Sequence, residues 1–280
     1  MNKKKYRTKY DRNVEELKEQ YGKDIFEVYE SKKSWGDPRL DTILGGLPNR
    51  VVELLGIEGG GKSTCAYKAL ADNQEKGKYG VLVDAENAYS TAYGNQMGID
   101  NDKLLVIQEN NMEKVMNIVV QLLGHEEVGL IVIDSLPALV PTAVYDDVVE
   151  KQDLVKKHVA DRARLMSESL NIITKRCRDH HNSLIIINQL RMKIGPFIRN
   201  PKTTPGGRAL KHYAMQRVEM TPVGRIHKTI KGVKTTIGNE VKIKAVKNKI
   251  KEPEVECTLR LIFGKGFEGA SQDDQQEQKV

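Results

Sequence analysis

The sequence is poor in aromatic residues and in cysteine, and each shortage narrows the class of protein. Only 5% of its 280 residues are aromatic and only one is tryptophan, so the core must be mainly aliphatic. The three cysteines, Cys65, Cys177 and Cys257, lie far apart and form no CxxC pair. This pattern argues against a disulfide framework or a metal site and predicts reduced thiols in the cytoplasm.

Long apolar runs are missing as well. No segment approaches the roughly 18 consecutive apolar residues that a membrane span needs. The first residues, MNKKKYRTKYDR, have no apolar stretch of the kind that marks a signal peptide. With 39% hydrophobic and 30% charged residues, the composition favours a globular cytoplasmic protein without a membrane partner. It excludes fibrous and wholly disordered classes.

Positive charge is in excess and is unevenly distributed. The formal net charge is +7, which modestly favours an anionic partner such as nucleic acid. Basic residues concentrate in residues 1–12, 191–211 and 225–251, and the second of these segments contains six Lys or Arg and no Asp or Glu. That segment is therefore a candidate for contact with a phosphate backbone.

The apolar pattern predicts the fold class. Five Val/Ile/Leu-rich runs are separated by helix-length segments, and they are VVELLG (51–56), YGVLVD (79–84), LLVI (104–107), GLIVID (129–134) and SLIIIN (183–188). Runs without polar alternation are typical of strands buried on both faces, which predicts an α/β fold with a mostly parallel central sheet. After Lys211 polar and apolar residues alternate, which predicts C-terminal antiparallel strands with one exposed face.

The chain divides into three parts. Residues 1–33 form a basic leader with a predicted amphipathic helix at 10–22 and a strand candidate at 25–28. This leader is too small for its own core, so it either packs on a neighbouring subunit or folds back on its own domain. Residues 34–268 make the main domain, and the polar residues 269–280 are predicted to be disordered.

A phosphate-binding loop is the strongest motif. Residues 56–63, GIEGGGKS, match GxxxxGK[ST], follow a predicted buried strand and open a predicted helix. In that context backbone N–H groups and the helix N-terminus can hold phosphate oxygens. The Lys62 side chain can reach the outer phosphates and the Ser63 hydroxyl can join the Mg²⁺ shell. The predicted nucleotide-binding residues are Gly56, Glu58, Gly59, Gly60, Gly61, Lys62, Ser63 and Thr64.

Carboxylates follow two other predicted strands at the same edge of the sheet. Asp134 ends GLIVID, where it can hold Mg²⁺ together with Ser63. Asp84 and Glu86 lie at and just past the end of YGVLVD. Either carboxylate could orient and deprotonate an attacking water, and either could instead cap the following helix.

Five segments of the chain resemble the RecA family of DNA recombinases, from about residue 10 to 265. They are GLPNRVVELLGIEGGGKS, VLVDAENAYSTAYGNQMGID, LIVIDSLPALVP, IIINQLRMKIGPFIRNPKTTPGGRALKHYA and VKIKAVKNKIKEP. A phosphate-binding loop marks only a superfamily, whereas the fourth segment is long and specific to this family. The resemblance implies a RecA-type ATPase core that uses ATP and Mg²⁺.

The resemblance also implies roles for particular residues. Glu86 would activate water, Tyr93 would stack on the adenine, and Gln189 would sense the γ-phosphate. Lys247 and Lys249 would reach across a subunit interface to the ATP of a neighbour, although both could simply lie on a solvated strand face. In that scheme Glu86, Lys62, Gln189, Lys247 and Lys249 form the catalytic set.

The basic segment after Gln189 resembles the second DNA-binding loop of the family. The alternative is an ordinary mobile basic surface loop. The expected DNA-binding residues are Arg191, Met192, Lys193, Ile194, Gly195, Arg199, Lys202, Thr203, Thr204, Gly206, Gly207 and Arg208. The first DNA loop is expected around residues 146–157, where charges of both signs occur.

Three features depart from the family pattern. His212 stands where the family has an aromatic residue, and Ser90 stands where an Asp commonly touches the adenine. The chain ends soon after LRLIFGKGFEGA, which predicts that the family's C-terminal domain is missing. A compact core with a Lys-rich leader also resembles recombinases of phages and mobile elements.

The expected function is that of an ATP-dependent DNA recombinase with DNA-dependent ATPase activity. It would form helical homo-oligomers on single-stranded DNA, pair that strand with double-stranded DNA and exchange strands. Single-strand-binding and loader proteins would be further partners. Two alternatives stay open, namely a RecA-like accessory protein without strand exchange and a ring helicase on the same fold.

Overall fold

The computed structural model describes residues 9–22, 33–149, 159–192 and 202–268. The chain separates into two compact units, residues 1–30 and 31–280. In the first unit, helix α1 spans Lys9–Tyr21 and carries a Lys18–Glu15 ion pair at 3.1 Å. The helix predicted at 10–22 is thereby confirmed, whereas the strand candidate at 25–28 lies outside the described residues.

The second unit alternates helices and strands. Its helices are α2 (Pro38–Leu44), α3 (Lys62–Glu75), α4 (Thr91–Gln96), α5 (Met112–Leu122), α6 (Thr142–Val149), α7 (Val159–Asp179) and α8 (Ala209–Tyr213). Its strands are β1 (Val51–Gly56), β2 (Tyr79–Asp84), β3 (Leu104–Ile107), β4 (Val128–Asp134), β5 (Ser183–Gln189), β6 (Arg191–Met192), β7 (Lys202–Thr203), β8 (Gln216–Ile230), β9 (Val233–Asn248), β10 (Glu256–Ile262) and β11 (Gly266–Phe267).

Nine strands form one sheet in the order β11-β10-β9-β8-β1-β5-β4-β2-β3. The pairs from β8 through β3 are parallel, and the pairs among β8, β9, β10 and β11 are antiparallel. The predicted fold class is therefore confirmed, with one refinement. The alternating segment at the start of β8 pairs parallel with β1, so only its other neighbour, β9, runs antiparallel.

Helices cover both faces of the parallel strands. Val52 and Leu54 of β1 pack with residues of α2 and α3, whereas Val51 packs on the opposite face with residues of α5 and α7. Successive strand residues point to opposite faces, so a strand covered on both sides must be apolar at nearly every position. This explains why the apolar residues of β1, β4 and β5 follow one another without regular polar alternation.

Local capping fixes several helix ends. Asp37 accepts a hydrogen bond from Arg39 N at 2.9 Å and precedes Pro38, the first residue of α2. Asn111 caps α5 in the same way through Lys114 N. A polar N-cap satisfies a backbone N–H that has no partner within the helix. In the described residues, none of the helices is both long enough and apolar enough to span a membrane.

The strand registers bring residues of the predicted nucleotide site together at the carboxyl ends of the parallel strands. Gly56 at the end of β1 lies beside Gln189 at the end of β5. Asp84 at the end of β2 lies beside Asp134 at the end of β4. The carboxyl ends of parallel strands form the usual ligand crevice of open α/β sheets, so this edge is where a site is expected.

Candidate nucleotide site and the adjoining basic loop

The phosphate-binding loop joins β1 to α3 and is packed against β8. A Cβ atom on Gly56 or Gly60 would lie 2.0 or 2.7 Å from the carbonyl oxygen of Met220, closer than real atoms approach. Gly61 has a φ of 75°, in the left-handed region that favours glycine. Glycine at these positions therefore lets the loop close onto the sheet and turn into the helix.

Lys62 is buried at the first position of α3, and its Nζ donates to the carbonyl oxygen of Ile57 at 2.7 Å. Burial lowers the pKa of Lys62, and the nearby carboxylates of Asp134, Glu58 and Glu86 act in the opposite direction. The ammonium group is thus held inside the loop, facing a cluster of acidic groups. This placement suits the binding of an anion that the acidic groups alone would repel.

Asp134 and Ser63 form the other side of the loop. Burial raises the pKa of Asp134, the neighbouring carboxylates of Glu86 and Asp84 raise it further, and the Ser63 hydroxyl acts in the opposite direction. A hydroxyl and a carboxylate are oxygen donors of the kind that Mg²⁺ uses together with substrate phosphates. Within the described residues no group of three or more His, Cys, Asp or Glu could hold a metal ion alone. The pair therefore fits Mg²⁺ shared with a nucleotide.

The two acidic residues at the end of β2 have different surroundings. The carboxylate of Asp84 is buried and accepts hydrogen bonds from the backbone N–H groups of Ala88 and Tyr89, each at 3.0 Å. Glu86 is exposed at the edge and accepts a hydrogen bond from the hydroxyl of Ser135. Asp84 thus holds the turn, which leaves the Glu86 carboxylate as the group placed to meet a water molecule.

Aromatic side chains enclose the space beside the loop. A cavity of about 190 Å³ lies between Ser63, Glu86, Tyr93 and Asp134. The Tyr93 hydroxyl is 2.8 Å from the Thr64 hydroxyl, and the Tyr93 ring meets the Tyr67 ring at a centroid distance of 6.1 Å. Tyr93 is thereby held at the cavity wall, where a nucleoside base could pack against it.

Sequence reasoning missed two tyrosines of this cavity. Tyr67 and Tyr89 line it and meet edge to face at a centroid distance of 5.7 Å. The Tyr89 hydroxyl also donates to Asn101 Oδ1 at 2.7 Å. Tyr67 lies inside α3 with no distinguishing pattern, so only the tertiary structure reveals it. Ser90, the predicted departure from the family, caps α4 by accepting from Tyr93 N at 3.5 Å.

The basic loop begins directly beside the phosphate-binding loop. Leu190 N donates to the carbonyl oxygen of Gly56 at 3.1 Å, so the two loops share a hydrogen bond. Beyond it, β6 and β7 pair antiparallel, with Arg191 opposite Thr203 and Met192 opposite Lys202. Residues 193–201, which include the predicted DNA contacts Lys193, Ile194, Gly195 and Arg199, lie outside the described residues.

The described end of this loop is packed against the protein. Thr204 and Gly206 are buried, whereas Gly207 and Arg208 are exposed. A Cβ on Gly206 would lie 2.9 Å from Leu136 Cδ2, and one on Gly207 would lie 3.0 Å from Ala163 Cβ. These glycines therefore have a packing reason in addition to the predicted approach to DNA. Among the described residues, Thr204 Oγ1 has no hydrogen-bond partner.

A buried polar network lies beneath both ends of the loop. Glu53 of β1 is fully buried and accepts hydrogen bonds from Asn188 Nδ2 at 2.8 Å and from Arg217 Nε at 2.5 Å. Asn188 Nδ2 also donates to the carbonyl oxygen of Pro205 at 3.0 Å, and Asn188 Oδ1 accepts from Gln189 N. Sequence reasoning missed Glu53, because a single acidic residue in an apolar run has no motif.

The two lysines near the end of β9 have separate environments. Lys247 Nζ donates to the carbonyl oxygens of Lys211 and His212, at 2.7 and 2.9 Å, at the end of α8. Burial lowers the pKa of Lys247, with Lys249 and Arg217 acting in the same direction. Lys249 is exposed and follows the last residue of β9. The two side chains thus differ in exposure and in hydrogen bonding, with Lys249 one residue beyond the end of the strand.

The region of the predicted first DNA loop is only partly described. Helix α6 extends to Val149, so the first residues of the 146–157 segment continue a helix. Residues 150–158 lie outside the described residues. His212, the other departure from the family pattern, is exposed at the end of α8.

A mostly parallel sheet, whose central strand β1 leads through a glycine-rich loop to a buried lysine at the start of α3, places this chain in the class of P-loop nucleoside triphosphatase folds. Comparison with known proteins then identifies the family. The sequence model of the RecA N-terminal domain family matches residues 12–268. The chain belongs to the RecA family, as the resemblance of its motifs predicted.

Several curated relatives named Protein RecA match most of this chain. The relative from Desulforapulum autotrophicum is 40% identical over 237 residues, covering 84% of this chain and 66% of that protein. The relative from Arthrobacter sp. strain FB24 is 41% identical and covers 83% and 64%. The relative from Tropheryma whipplei strain Twist is 38% identical and covers 89% and 57%. The chain thus spans about two thirds or less of these relatives' length.

A solved structure shares the fold. The crystal structure of the RadB recombinase superposes with a TM-score of 0.61 and covers 85% of this chain and 99% of that one. The sequence identity is 16%, so this match concerns the fold alone.

Proposed function

We propose that this chain is an ATP-dependent DNA recombinase that assembles on single-stranded DNA and exchanges strands with homologous duplex DNA. The observation that carries the proposal is the hydrogen bond from Leu190 N to Gly56 O. It joins the start of the basic loop to the first glycine of the phosphate-binding loop. A displacement of the basic loop can therefore move the backbone of the phosphate-binding loop, and the reverse. Such coupling is what DNA-dependent ATP hydrolysis requires.

The nucleotide half of the proposal assigns roles around the phosphate-binding loop. Lys62 and the backbone N–H groups of the loop bind phosphate oxygens, and Ser63 with Asp134 hold Mg²⁺. Glu86 orients and deprotonates the attacking water, and its hydrogen bond from Ser135 fixes the direction of the carboxylate. Bound Mg²⁺-ATP supplies the phosphoryl group and the cation that neutralises its charge. Tyr93 packs on the base.

The DNA half of the proposal assigns the loop after Gln189. Arg191 and Arg208 are exposed at its two described ends, and the segment between them carries further cations without any acidic residue. Contacts of this kind bind the phosphodiester backbone without reading bases. Homology is then tested by base pairing between the bound strand and the duplex, so the protein needs no sequence preference.

Assembly completes the proposed site. Lys247 and Lys249 act on the nucleotide of the next subunit, and the leader with α1 packs between subunits to form a helical filament. Gln189, placed beside Gly56 by the strand register, reports the state of the γ-phosphate to the loop. Single-strand-binding and loader proteins are proposed as further partners, and the cytoplasm is the proposed location.

The test is joint-molecule formation between a labelled single strand and homologous supercoiled duplex, with ATP and Mg²⁺. We expect products only with homologous DNA and none with the Lys62→Ala variant, which lacks the phosphate-binding ammonium group. Single-strand binding without any joint molecules would contradict the proposal and favour the accessory alternative. Closed rings in electron micrographs, instead of filaments, would favour the helicase alternative.

A further inference from the structure

The cavity beside the phosphate-binding loop has a charged end and an aromatic end. The charged end holds the carboxylates of Asp84, Glu86 and Asp134. The aromatic end is formed by three tyrosines together with Ala88 and Ser90. The proposed function places the triphosphate at the charged end and the base against the tyrosines, so the groups at the aromatic end decide which base is accepted.

A protein distinguishes adenine from guanine by hydrogen bonds to the edges of the bases. Adenine presents an amino group, which donates, where guanine presents a carbonyl oxygen, which accepts. A site built to bond one pattern rejects the other by about 10⁴ or more, whereas packing on an apolar wall separates similar molecules by about 10². The selectivity of this site therefore depends on which polar groups at the aromatic end are free to bond a base.

The tyrosine hydroxyls are directed away from a base at the aromatic end. The Tyr93 hydroxyl is 2.8 Å from the Thr64 hydroxyl, and the Tyr89 hydroxyl donates to Asn101 Oδ1 at 2.7 Å. Burial raises the pKa of the Tyr67 hydroxyl and carboxylates of the charged end raise it further, so this hydroxyl lies near that end. The three tyrosines thus offer rings, and not hydroxyl groups, to a base.

The two carboxylates nearest to the aromatic end along the chain have other partners. The two oxygens of Asp84 accept the backbone N–H groups of Ala88 and Tyr89, each at 3.0 Å. Glu86 accepts a hydrogen bond from the Ser135 hydroxyl, and the proposed function assigns its carboxylate to the attacking water. Neither group is therefore reserved for the amino group of adenine.

Ser90 is the remaining polar side chain at the aromatic end of the cavity. It is exposed, caps α4 three residues before Tyr93, and its Oγ accepts from Tyr93 N at 3.5 Å. The hydroxyl hydrogen can rotate, and a hydroxyl can both donate and accept. It can therefore bond the amino group of adenine and the carbonyl oxygen of guanine equally well.

We propose that this site selects nucleoside triphosphates by their phosphates and by stacking, with Ser90 as the cavity side chain that meets the base edge, so that GTP is hydrolysed nearly as well as ATP. This inference rests on the proposed function. Every base has a π-face, so stacking on aromatic rings tolerates any base. Cytosine and uracil have smaller rings, so CTP and UTP should be used less well than the purine nucleotides.

The first test is a panel of ATP, GTP, CTP and UTP with Mg²⁺ and saturating single-stranded DNA. We expect the kcat/KM of ATP to exceed that of GTP by less than about 10². A fluorescent ADP analogue, displaced by ADP or by GDP without DNA, measures the same selectivity in binding alone, and the ratio of the two Kd values should stay below the same limit. Lys62→Ala should lose hydrolysis of all four nucleotides, because they share one site.

Matched substitutions test the position of Ser90. Asp and Asn are both good N-caps, so Ser90→Asp and Ser90→Asn should keep α4 folded, which circular dichroism checks. A carboxylate accepts from the amino group of adenine and repels the carbonyl oxygen of guanine, so Ser90→Asp should raise the ATP/GTP ratio of kcat/KM by about tenfold or more, through KM. The amide of Asn can donate or accept, so Ser90→Asn should leave that ratio within about threefold of wild type.

The outcomes separate this inference from the proposed function. A preference for the adenine nucleotide above about 10², in hydrolysis or in binding, would overturn the inference and leave the proposed function standing. Equal ATP/GTP ratios in Ser90→Asp and Ser90→Asn would also overturn it, since Ser90 would then not meet the base edge. A wild-type chain that hydrolyses none of the four nucleotides would overturn both.

Discussion

Asn188 Nδ2 lies 2.8 Å from Glu53 Oε1 and 3.0 Å from the carbonyl oxygen of Pro205. One amide group therefore ties the strand that leads into the phosphate-binding loop to both ends of the basic loop, since Asn188 precedes its start and Pro205 lies near its end. Asn188 and Glu53 are fully buried, and a hydrogen bond between buried polar groups is costly to break. The two residues form a mechanical link between the proposed ATP and DNA sites.

Glu53→Gln tests this link. Both oxygens of Glu53 accept from N–H donors, so the amide of Gln would place a donor against either Asn188 or Arg217. We expect unfolding free energy to fall by about 3 kcal/mol, together with faster hydrogen exchange at residues 189–192 and 205–213. DNA stimulation of ATP hydrolysis should fall more than the basal rate.

A matched control for that variant is Gln216, which precedes Arg217 on β8. Gln216 is buried, but its amide donates to the carbonyl oxygens of Leu44 and Gly46 at the end of α2. Gln216→Leu should lower stability without raising exchange at the basic loop. If Glu53→Gln and Gln216→Leu alter the loop equally, the link between Asn188 and Glu53 has no special role.

Glu86→Gln tests the proposed general base. It removes the carboxylate that would take the proton and keeps the side-chain shape, so hydrolysis should slow by about 10² or more. Nucleotide affinity and single-strand binding should be unchanged. Ser135→Ala removes the hydrogen bond that orients the Glu86 carboxylate and should cause a smaller loss. Steady-state ATPase assays measure both variants, and normal turnover in Glu86→Gln would move the base to another residue.

Asp134→Asn tests how much stability the protein loses by burying the ionised Asp134 carboxylate. Burial raises the pKa of Asp134, so in the folded chain the ionised form is less favourable than in the unfolded chain. The stability cost is present above the raised pKa and is relieved as pH falls through it. The nucleotide-free variant should therefore be more stable at neutral pH. A gain of about 1 kcal/mol would raise Tm by roughly 2–4 °C.

Thermal unfolding from about pH 8 to about pH 5 provides the check on Asp134. The difference between Asp134→Asn and wild type should shrink as the pH falls through the raised pKa of Asp134, because the wild-type carboxyl then takes up a proton. Stabilisation by Mg²⁺-ATP should be lost in the variant, because the carboxylate that would hold Mg²⁺ is gone. If Asp134→Asn is less stable than wild type at every pH, the ionised Asp134 carboxylate does not destabilise the folded chain.

Lys247 and Lys249 can be separated by matched substitutions. Lys247→Met leaves the carbonyl oxygens of Lys211 and His212 without their donor, so thermal stability should fall. Lys249→Met alters an exposed side chain and should leave stability within about 0.5 kcal/mol of wild type. Both variants should hydrolyse ATP slowly when assembled on DNA if both lysines act on a neighbour's nucleotide. Full DNA-stimulated activity in Lys249→Met would exclude that role for Lys249.

Much of the fold could be predicted from local sequence signals. The apolar runs of β1, β4 and β5, which show no regular polar alternation, indicate strands covered on both faces, because such strands have no solvated side. The glycines around Lys62 indicate the phosphate-binding loop, because a short motif with fixed spacing determines its backbone. The parallel pairing of β8 with β1 could not be predicted. The alternation of polar and apolar residues along β8 indicates that one face of the strand is exposed to solvent, but it does not indicate the direction of the neighbouring strand.

The sequence by itself determined the elements and the chemistry of the nucleotide loop, which depend on residues adjacent along the chain. Only the tertiary structure decided which acidic residue stays available after β2, since Asp84 is occupied by the N–H groups of Ala88 and Tyr89. It also decided the link from Glu53 to Asn188, whose residues are 135 positions apart. Such contacts follow from strand register, which brings distant residues together and leaves no local pattern.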